Sequence, residues 1–248
     1  MPALPKPLMA AFSSLLLAGC TTLPPNSEPD PRDPLESFNR SMFTVNDALD
    51  RSVARPVARG YVKVVPQPLR TGVGNFFQNL SYPSTVANGL LQGKFAQFGN
   101  DLGRLVVNTT LGIGGLFDPA TQFGLATHDE DLGQTLGKWG VPPGPFLMRP
   151  VFGPSTFRDT FGDVADFWID PKHYISDPWL TYGLYAQELV HRRAQLLSAE
   201  GVQDNAYDPY AFMRNAWLQR REYLISDGAS ADDVEIPIEE EPAAPVAN

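Results

Sequence analysis

The single cysteine of this 248-residue chain, Cys20, follows Leu17-Ala18-Gly19 at the end of a short apolar run. That run covers residues 8–17, and Lys6 is the one positive charge before it. About ten apolar residues are too few for a spanning helix, which needs about 20, and they suit a cleaved signal segment. The small pair Ala18-Gly19 ahead of cysteine matches the bacterial lipobox. There the thiol becomes diacylglycerylated, cleavage falls between Gly19 and Cys20, and the new N-terminus is acylated. The other reading is an ordinary signal peptide with an incidental cysteine. Thr21 and Thr22 stand where an Asp would retain a lipoprotein at the inner membrane, which favours the outer membrane. Diacylglycerol and an N-acyl chain on Cys20 are therefore the covalent groups expected, with no cofactor besides. One cysteine also excludes an intrachain disulfide framework.

Other chemistry is sparse. Gly153-Pro154-Ser155 lacks the second glycine of a nucleophile elbow. Gly93-Lys94 is followed by Phe95, where a phosphate-binding loop needs a hydroxyl for Mg²⁺. His128, His173 and His191 are far apart in sequence. His128-Asp129-Glu130-Asp131 offers metal-ligand types, but sequence neighbours do not by themselves converge on an ion. An exposed charged loop and no metal are expected there. No nucleophile–base pair suggests a phospholipase, so the chain is read as a non-enzyme.

The elements that would position any site begin with residues 71–117. These 47 residues carry three charges, Lys94, Asp101 and Arg104, where average composition would give about a dozen. Asn75, Gln78, Asn79, Asn88 and Gln92 make the stretch too polar to cross a bilayer. Amphipathic helices packed together or lying in a membrane interface fit it. Gly89 and Gly93, like Gly99 and Gly103, are four apart, a spacing that either allows close helix approach or breaks the segment into pieces. Residues 112–115 read as a turn. The net charge is −9, and 7 of the 28 acids fall in residues 227–248. That Pro-containing tail reads as disordered, and the absence of a basic patch argues against nucleic acid.

Asp-Pro pairs at residues 33, 118, 170, 177 and 208 place a capping carboxylate before a proline suited to the first helical position. After the first pair, Phe38, Met42, Val45 and Leu49 form one apolar stripe. Arg55-Pro56 is expected to end that helix, and the Val-rich residues 60–66 to form a short strand or hairpin. Pro83 is expected to open a longer helix carrying Val86, Leu90, Phe95, Phe98, Leu102 and Leu105. Residues 127–163 read as loop-rich, and 140–145 as irregular. Two conventional helices follow, over 178–200 and 209–226.

Such a chain, anchored at a bilayer, suits lipid handling. A lipid path needs an apolar wall for acyl chains and polar groups for the headgroup. Asn39, Asn46, Arg55 and Arg59 are candidates for the polar side; the alternative is that the arginines pair with surface acids.

Several blocks then carry a resemblance. They include Asp33-Pro34-Leu35-Glu36-Ser37-Phe38-Asn39-Arg40, Val65-Pro66-Gln67-Pro68-Leu69-Arg70 and Asn75-Phe76-Phe77-Gln78-Asn79-Leu80. Further on come Asn108-Thr109-Thr110-Leu111-Gly112-Ile113-Gly114-Gly115-Leu116-Phe117-Asp118, Gly133-Gln134-Thr135-Leu136-Gly137-Lys138-Trp139-Gly140-Val141 and Gly153-Pro154-Ser155-Thr156-Phe157-Arg158-Asp159. In this order they resemble the MlaA (VacJ) lipoprotein family, strongly over residues 33–171 and more loosely beyond. The resemblance implies a mainly α ring of amphipathic helices around a central channel, embedded in the periplasmic leaflet of a Gram-negative outer membrane. It implies that outer-leaflet phospholipid passes through this channel to a soluble periplasmic carrier, and that trimeric porins are partners. A gating hairpin would map near residues 46–61, and Gly114 and Gly115 are taken as channel or gate positions. The expected organisation is a signal peptide (1–19), a lipidated Cys20 with linker (20–32), the ring domain (33–226) and the acidic tail (227–248). The rival is a structural lipoprotein that tethers porins without conducting lipid.

Overall fold

The computed structural model describes residues 30–228. Cys20, the signal segment, most of the linker and all but the first two residues of the acidic tail lie outside the described residues. The described chain is mainly helical. In order it forms α1 (Glu36–Leu49), a π turn (Asp50–Ala54), α2 (Arg55–Val64), α3 (Gln67–Leu91), α4 (Phe95–Thr110) and α5 (Pro119–Gln122). Then come α6 (Leu132–Lys138), strands β1 (Phe146–Arg149) and β2 (Gly153–Thr156), and α7 (Phe157–Asp166). A 3-10 turn (Pro171–Tyr174), α8 (Pro178–Gln195), a second 3-10 turn (Leu196–Ala199), α9 (Glu200–Asp204) and α10 (Pro209–Ile225) complete it.

Contacts between these elements make a closed circuit. α1 packs on β1, β2 on α10, α10 on α6, α6 on α3, α3 on α8 and α8 on α2, which the π turn joins back to α1. α4 lies along α3 on one flank, and α7 against α6. The apolar core is small: Met42, Phe146, Met148 and Tyr210, with Phe38, Phe43 and Trp217 against them. Among the described residues, buried polar and charged side chains outnumber buried apolar ones, while many large apolar groups are exposed. This distribution is inverted relative to an ordinary water-soluble domain.

Polar networks therefore do much of the joining. Asp166 of α7 accepts from Ser84 at 2.7 Å and Asn88 at 3.1 Å on α3, and from the Leu132 N–H at 2.7 Å at the start of α6. In α4, Arg104 is 1% exposed. It forks onto Asp118 at 3.0 and 2.8 Å, and Asp118 also caps α5. Two of the three charges in residues 71–117, Asp101 and Arg104, are thus buried. Within residues 128–131 Asp129 is exposed as expected, but its neighbours form a hub rather than an exposed loop. Glu130 is buried against Lys94 at 2.8 Å, and Asp131 caps α6 while holding Arg221. Their partners come from α3–α4 and α10, which local charge density could not reveal.

Four Asp-Pro pairs cap helices as expected, with Asp118, Asp170, Asp177 and Asp208 each accepting from backbone N–H groups. Asp33 does not. α1 begins at Glu36 with Leu35 at its cap, and the Asp33 carboxylate is spent on Asn39, Tyr210 and Arg214.

Arg55-Pro56 does not end the first helix. Pro56 has no N–H to donate and its ring crowds the preceding turn. The helix absorbs this by widening, with the Arg55 N–H donating to the Asp50 carbonyl five residues back. Residues 46–61 are consequently helical, not a hairpin. Residues 60–64 are helix as well, because packing of α2 on α8, with Ala58 fully buried, overrides the β preference of valine. The antiparallel hairpin is β1–β2, with Phe146 opposite Thr156 and Arg149 opposite Gly153. It falls within residues 127–163, which also hold α6 and most of α7, so that region is less loop-rich than expected.

Pro83 lies inside α3 rather than opening a helix. The break comes later, at Gly93, whose φ of 73° suits glycine. There the Lys94 N–H bonds the Gly89 carbonyl and the Gly93 N–H bonds the Leu90 carbonyl, each at 3.0 Å, a Schellman cap. Of the two readings of the glycine spacing, breakage describes Gly93. Gly201 does not stop the preceding helix; it sits within α9, after the 3-10 turn.

Candidate functional site

A cavity of about 770 Å³ opens at the centre of the circuit. Its wall takes Tyr61 from α2, Arg70, Gln78 and Ser81 from α3, and His128 and Asp129 from the loop before α6. α8 contributes Glu188, His191 and Arg192, and α10 contributes Arg220. The α3 face turned inward is polar because Thr71, Asn75, Gln78, Ser81 and Thr85 recur at helical spacing.

His191 is held on both ring nitrogens, Nδ1 at 3.2 Å from the Tyr61 hydroxyl and Nε2 at 3.0 Å from the Gln195 amide. Burial, with Arg70 and Arg192 nearby, pushes its pKa below the ordinary histidine value. Glu188 is buried and doubly paired, with Lys172 Nζ at 2.6 Å and Arg192 at 2.6 Å. Asp129 is shifted upward by burial and by the neighbouring Asp131. Arg70 and Arg220 differ from the third wall arginine, Arg192. Among the described residues neither side chain makes an ion pair or hydrogen bond, and the buried Arg70 Nε is unpartnered.

A second cavity, of about 390 Å³, lies between the π turn, the hairpin and the end of α8. Phe43, Met148, Val151, Phe152, Leu189 and Met213 give it apolar walls. Its arginines are all engaged. Arg193 pairs with Asp50 at 2.5 Å and with Glu200 at 2.6 Å, and Arg55 with Asp204 at 2.9 Å.

The residues singled out in the sequence separate accordingly. Asn39 is 0% exposed. It donates to Asp33 at 2.7 Å and the Phe146 carbonyl at 3.0 Å, and accepts from the Met148 N–H at 2.8 Å. Asn46 repeats this on the turn, accepting from the Val151 N–H at 2.7 Å and donating to the Arg149 carbonyl at 2.9 Å. Two turns apart on α1's inner face, the two amides hold the hairpin, and Asn46 also borders the second cavity. Arg55 borders that cavity too, and Arg59 pairs with Glu200 at 2.8 Å. Gly114 and Gly115, with φ of 67° and 91°, lie in the turn after α4 and do not line the central cavity. A Cβ on Gly115 would strike the Asn79 side chain. Arg70, His191, Arg192 and Arg220 were not foreseen as wall residues. Arg70 did leave a trace, as the last cation before the uncharged run 71–93.

The outside is apolar. Phe95, Leu111, Ile113, Phe117 and Phe123 are each more than half exposed around α4 and its turn, as are Phe161, Trp168 and Trp179 elsewhere. Apolar exposure on this scale marks contact with membrane or protein. Among the described residues no helix is long and apolar enough to cross a membrane.

Fold and site define an inside-out helical protein, with a polar, charged cavity inside and large apolar side chains exposed outside. The chain belongs to the MlaA lipoprotein family, whose model matches residues 31–224. It is 36% identical over 225 residues, 88% of each chain, to the intermembrane phospholipid transport system lipoprotein MlaA of Escherichia coli (strain K12). It is 31% identical over 240 residues to the protein of the same name in Haemophilus influenzae, covering 92% of this chain and 93% of that one. An uncharacterized protein of Rickettsia prowazekii is 36% identical over 198 residues, 78% of each. A solved structure concerned with the structural basis for maintenance of bacterial outer membrane lipid asymmetry superposes with TM-score 0.71 at 38% identity. That match covers 78% of this chain and 98% of the other.

Proposed function

We propose that this protein is an outer-membrane lipoprotein of an intermembrane phospholipid transport system. It removes mislocalised phospholipid from the outer leaflet and passes it through the central cavity toward the periplasm. The observation that carries this reading is the polar cavity of about 770 Å³ inside an apolar-faced helical circuit. A headgroup gains charge and hydrogen-bond partners inside, while the exterior is compatible with hydrocarbon. The Escherichia coli and Haemophilus influenzae relatives, named as lipoproteins of an intermembrane phospholipid transport system, support the same reading.

In this reading acyl chains on Cys20 hold the protein at the periplasmic leaflet, a soluble periplasmic carrier receives the lipid, and trimeric porins are membrane partners. No bond is made or broken. A tether for porins would use the apolar exterior alone and leave the charged wall without a role. Outer-leaflet phospholipid, measured by surface acylation, is expected to rise in cells lacking the gene and to fall when it is restored. An unchanged level in a weakened envelope would favour the tether.

A further inference from the structure

We propose that Arg70 and Arg220 form an anion seat on the cavity wall that takes the phosphodiester of a phospholipid headgroup. The inference rests on the lipid-path reading and names the groups that would recognise the headgroup.

Three observations carry it. The first is position. Arg70 in the first turn of α3, Arg192 on α8 and Arg220 near the end of α10 line one cavity from three separate elements. The second is availability. Arginines elsewhere on the circuit, such as 40, 55, 104, 193, 214 and 221, are committed to carboxylates, whereas Arg70 and Arg220 have no ion-pair partner among the described residues. A guanidinium that faces a cavity with its donors unspent is suited to forked recognition of phosphate oxygens.

The third is charge. Arg70 and Arg192 both act electrostatically on His191, and Arg192 and Arg220 both act on Asp129. Of the acids on the wall, Glu188 is neutralised by Lys172 and Arg192, which leaves Asp129 to set against Arg70 and Arg220. A local positive excess thus stands in a chain of net charge −9.

The test uses full-length protein in detergent micelles and two fluorescent lipids with identical tails, phosphatidylglycerol and diacylglycerol, the second lacking phosphate. Wild type is expected to bind phosphatidylglycerol at least about tenfold more tightly, a difference of about 1.4 kcal/mol. Arg70→Gln/Arg220→Gln should abolish that preference and leave diacylglycerol binding unchanged, and Arg70→Lys/Arg220→Lys should restore part of it. Retention of the preference in the double Gln variant overturns the seat. Inorganic phosphate competing as strongly as phosphatidylglycerol, through the same arginines, overturns the headgroup assignment in favour of free phosphate. Equal wild-type binding of both lipids overturns the seat while leaving the lipid path standing. Binding of neither lipid removes the lipid-path reading itself. Since neither arginine has a protein partner to lose, thermal melts of the variants should match wild type.

Discussion

The two cavities both have arginines in their walls and use them in opposite ways. Around the second, Arg55 and Arg193 are spent on Asp50, Glu200 and Asp204, and the rest of its wall is largely apolar. On the central wall, Arg70 and Arg220 are left open. The lesson is that arginine count does not distinguish a site from a scaffold. Whether an acid has already been assigned to each arginine does.

The strongest challenge to this contrast is the most deeply engaged arginine. Arg104→Ala would leave Asp118 uncompensated and is expected to cost about 3–5 kcal/mol in denaturant unfolding. A loss below 1 kcal/mol would mean that pairing is not what fixes these side chains.

Next comes the rim of the second cavity. A double-mutant cycle on Asp50 and Arg193, read by urea melts, should give a coupling of about 1–2 kcal/mol, as expected for neighbours in one network. Burial alone would raise the Asp50 pKa, and the bonds from Arg193 and Arg55 outweigh it.

His191 supplies a smaller, pH-dependent effect. Its folded pKa is depressed, so the unfolded chain takes the proton more readily. Its contribution is present above the ordinary histidine value and is lost as pH falls through the folded pKa. Stability measured between pH 8 and pH 5 should fall more gently in His191→Gln than in wild type, and parallel slopes would remove histidine from the account.

The smallest effect sharpens the contrast most. Arg220→Gln alone should change unfolding free energy by no more than about 0.5 kcal/mol. A loss matching that of Arg193→Gln would show Arg220 to be a scaffold residue.

Much of the fold was legible in the sequence, because its signals are local. Apolar stripes gave α1 and α10, and Asp-Pro pairs marked the starts of α5, α8 and α10. Pro56 and Pro83 misled because a proline reports a lost donor, not whether the surrounding turn can widen or packing can carry the helix past it. The strand expected near residue 62 lost to burial of Ala58 against α8, a contact from more than a hundred residues away. The polar side of the site was legible in composition but not in assignment. Arg55 and Arg59 meet acids 149 and 141 residues later. Asn39 and Asn46, which resemble ligand groups in sequence, are consumed by a hairpin about 105 residues on. Arg70 and Arg220 became visible only when no partner arrived.

The junction around Asp33 bears on the order in which the molecule assembles. Asp33 and Arg40 find their partners at Asp208, Tyr210 and Arg214, at separations of 168 to 181 residues. A chain emerging from its N-terminus has only the local partners of these charges, Glu36 for Arg40 and Asn39 for Asp33, until nearly all of it has appeared. Loop closure over such a span costs little more entropy than over half of it, but it cannot begin early. Closing the circuit is thus a late event, and the exposed apolar surface exists for some time on an open chain. Aggregation before closure is the hazard that a periplasmic escort would have to meet.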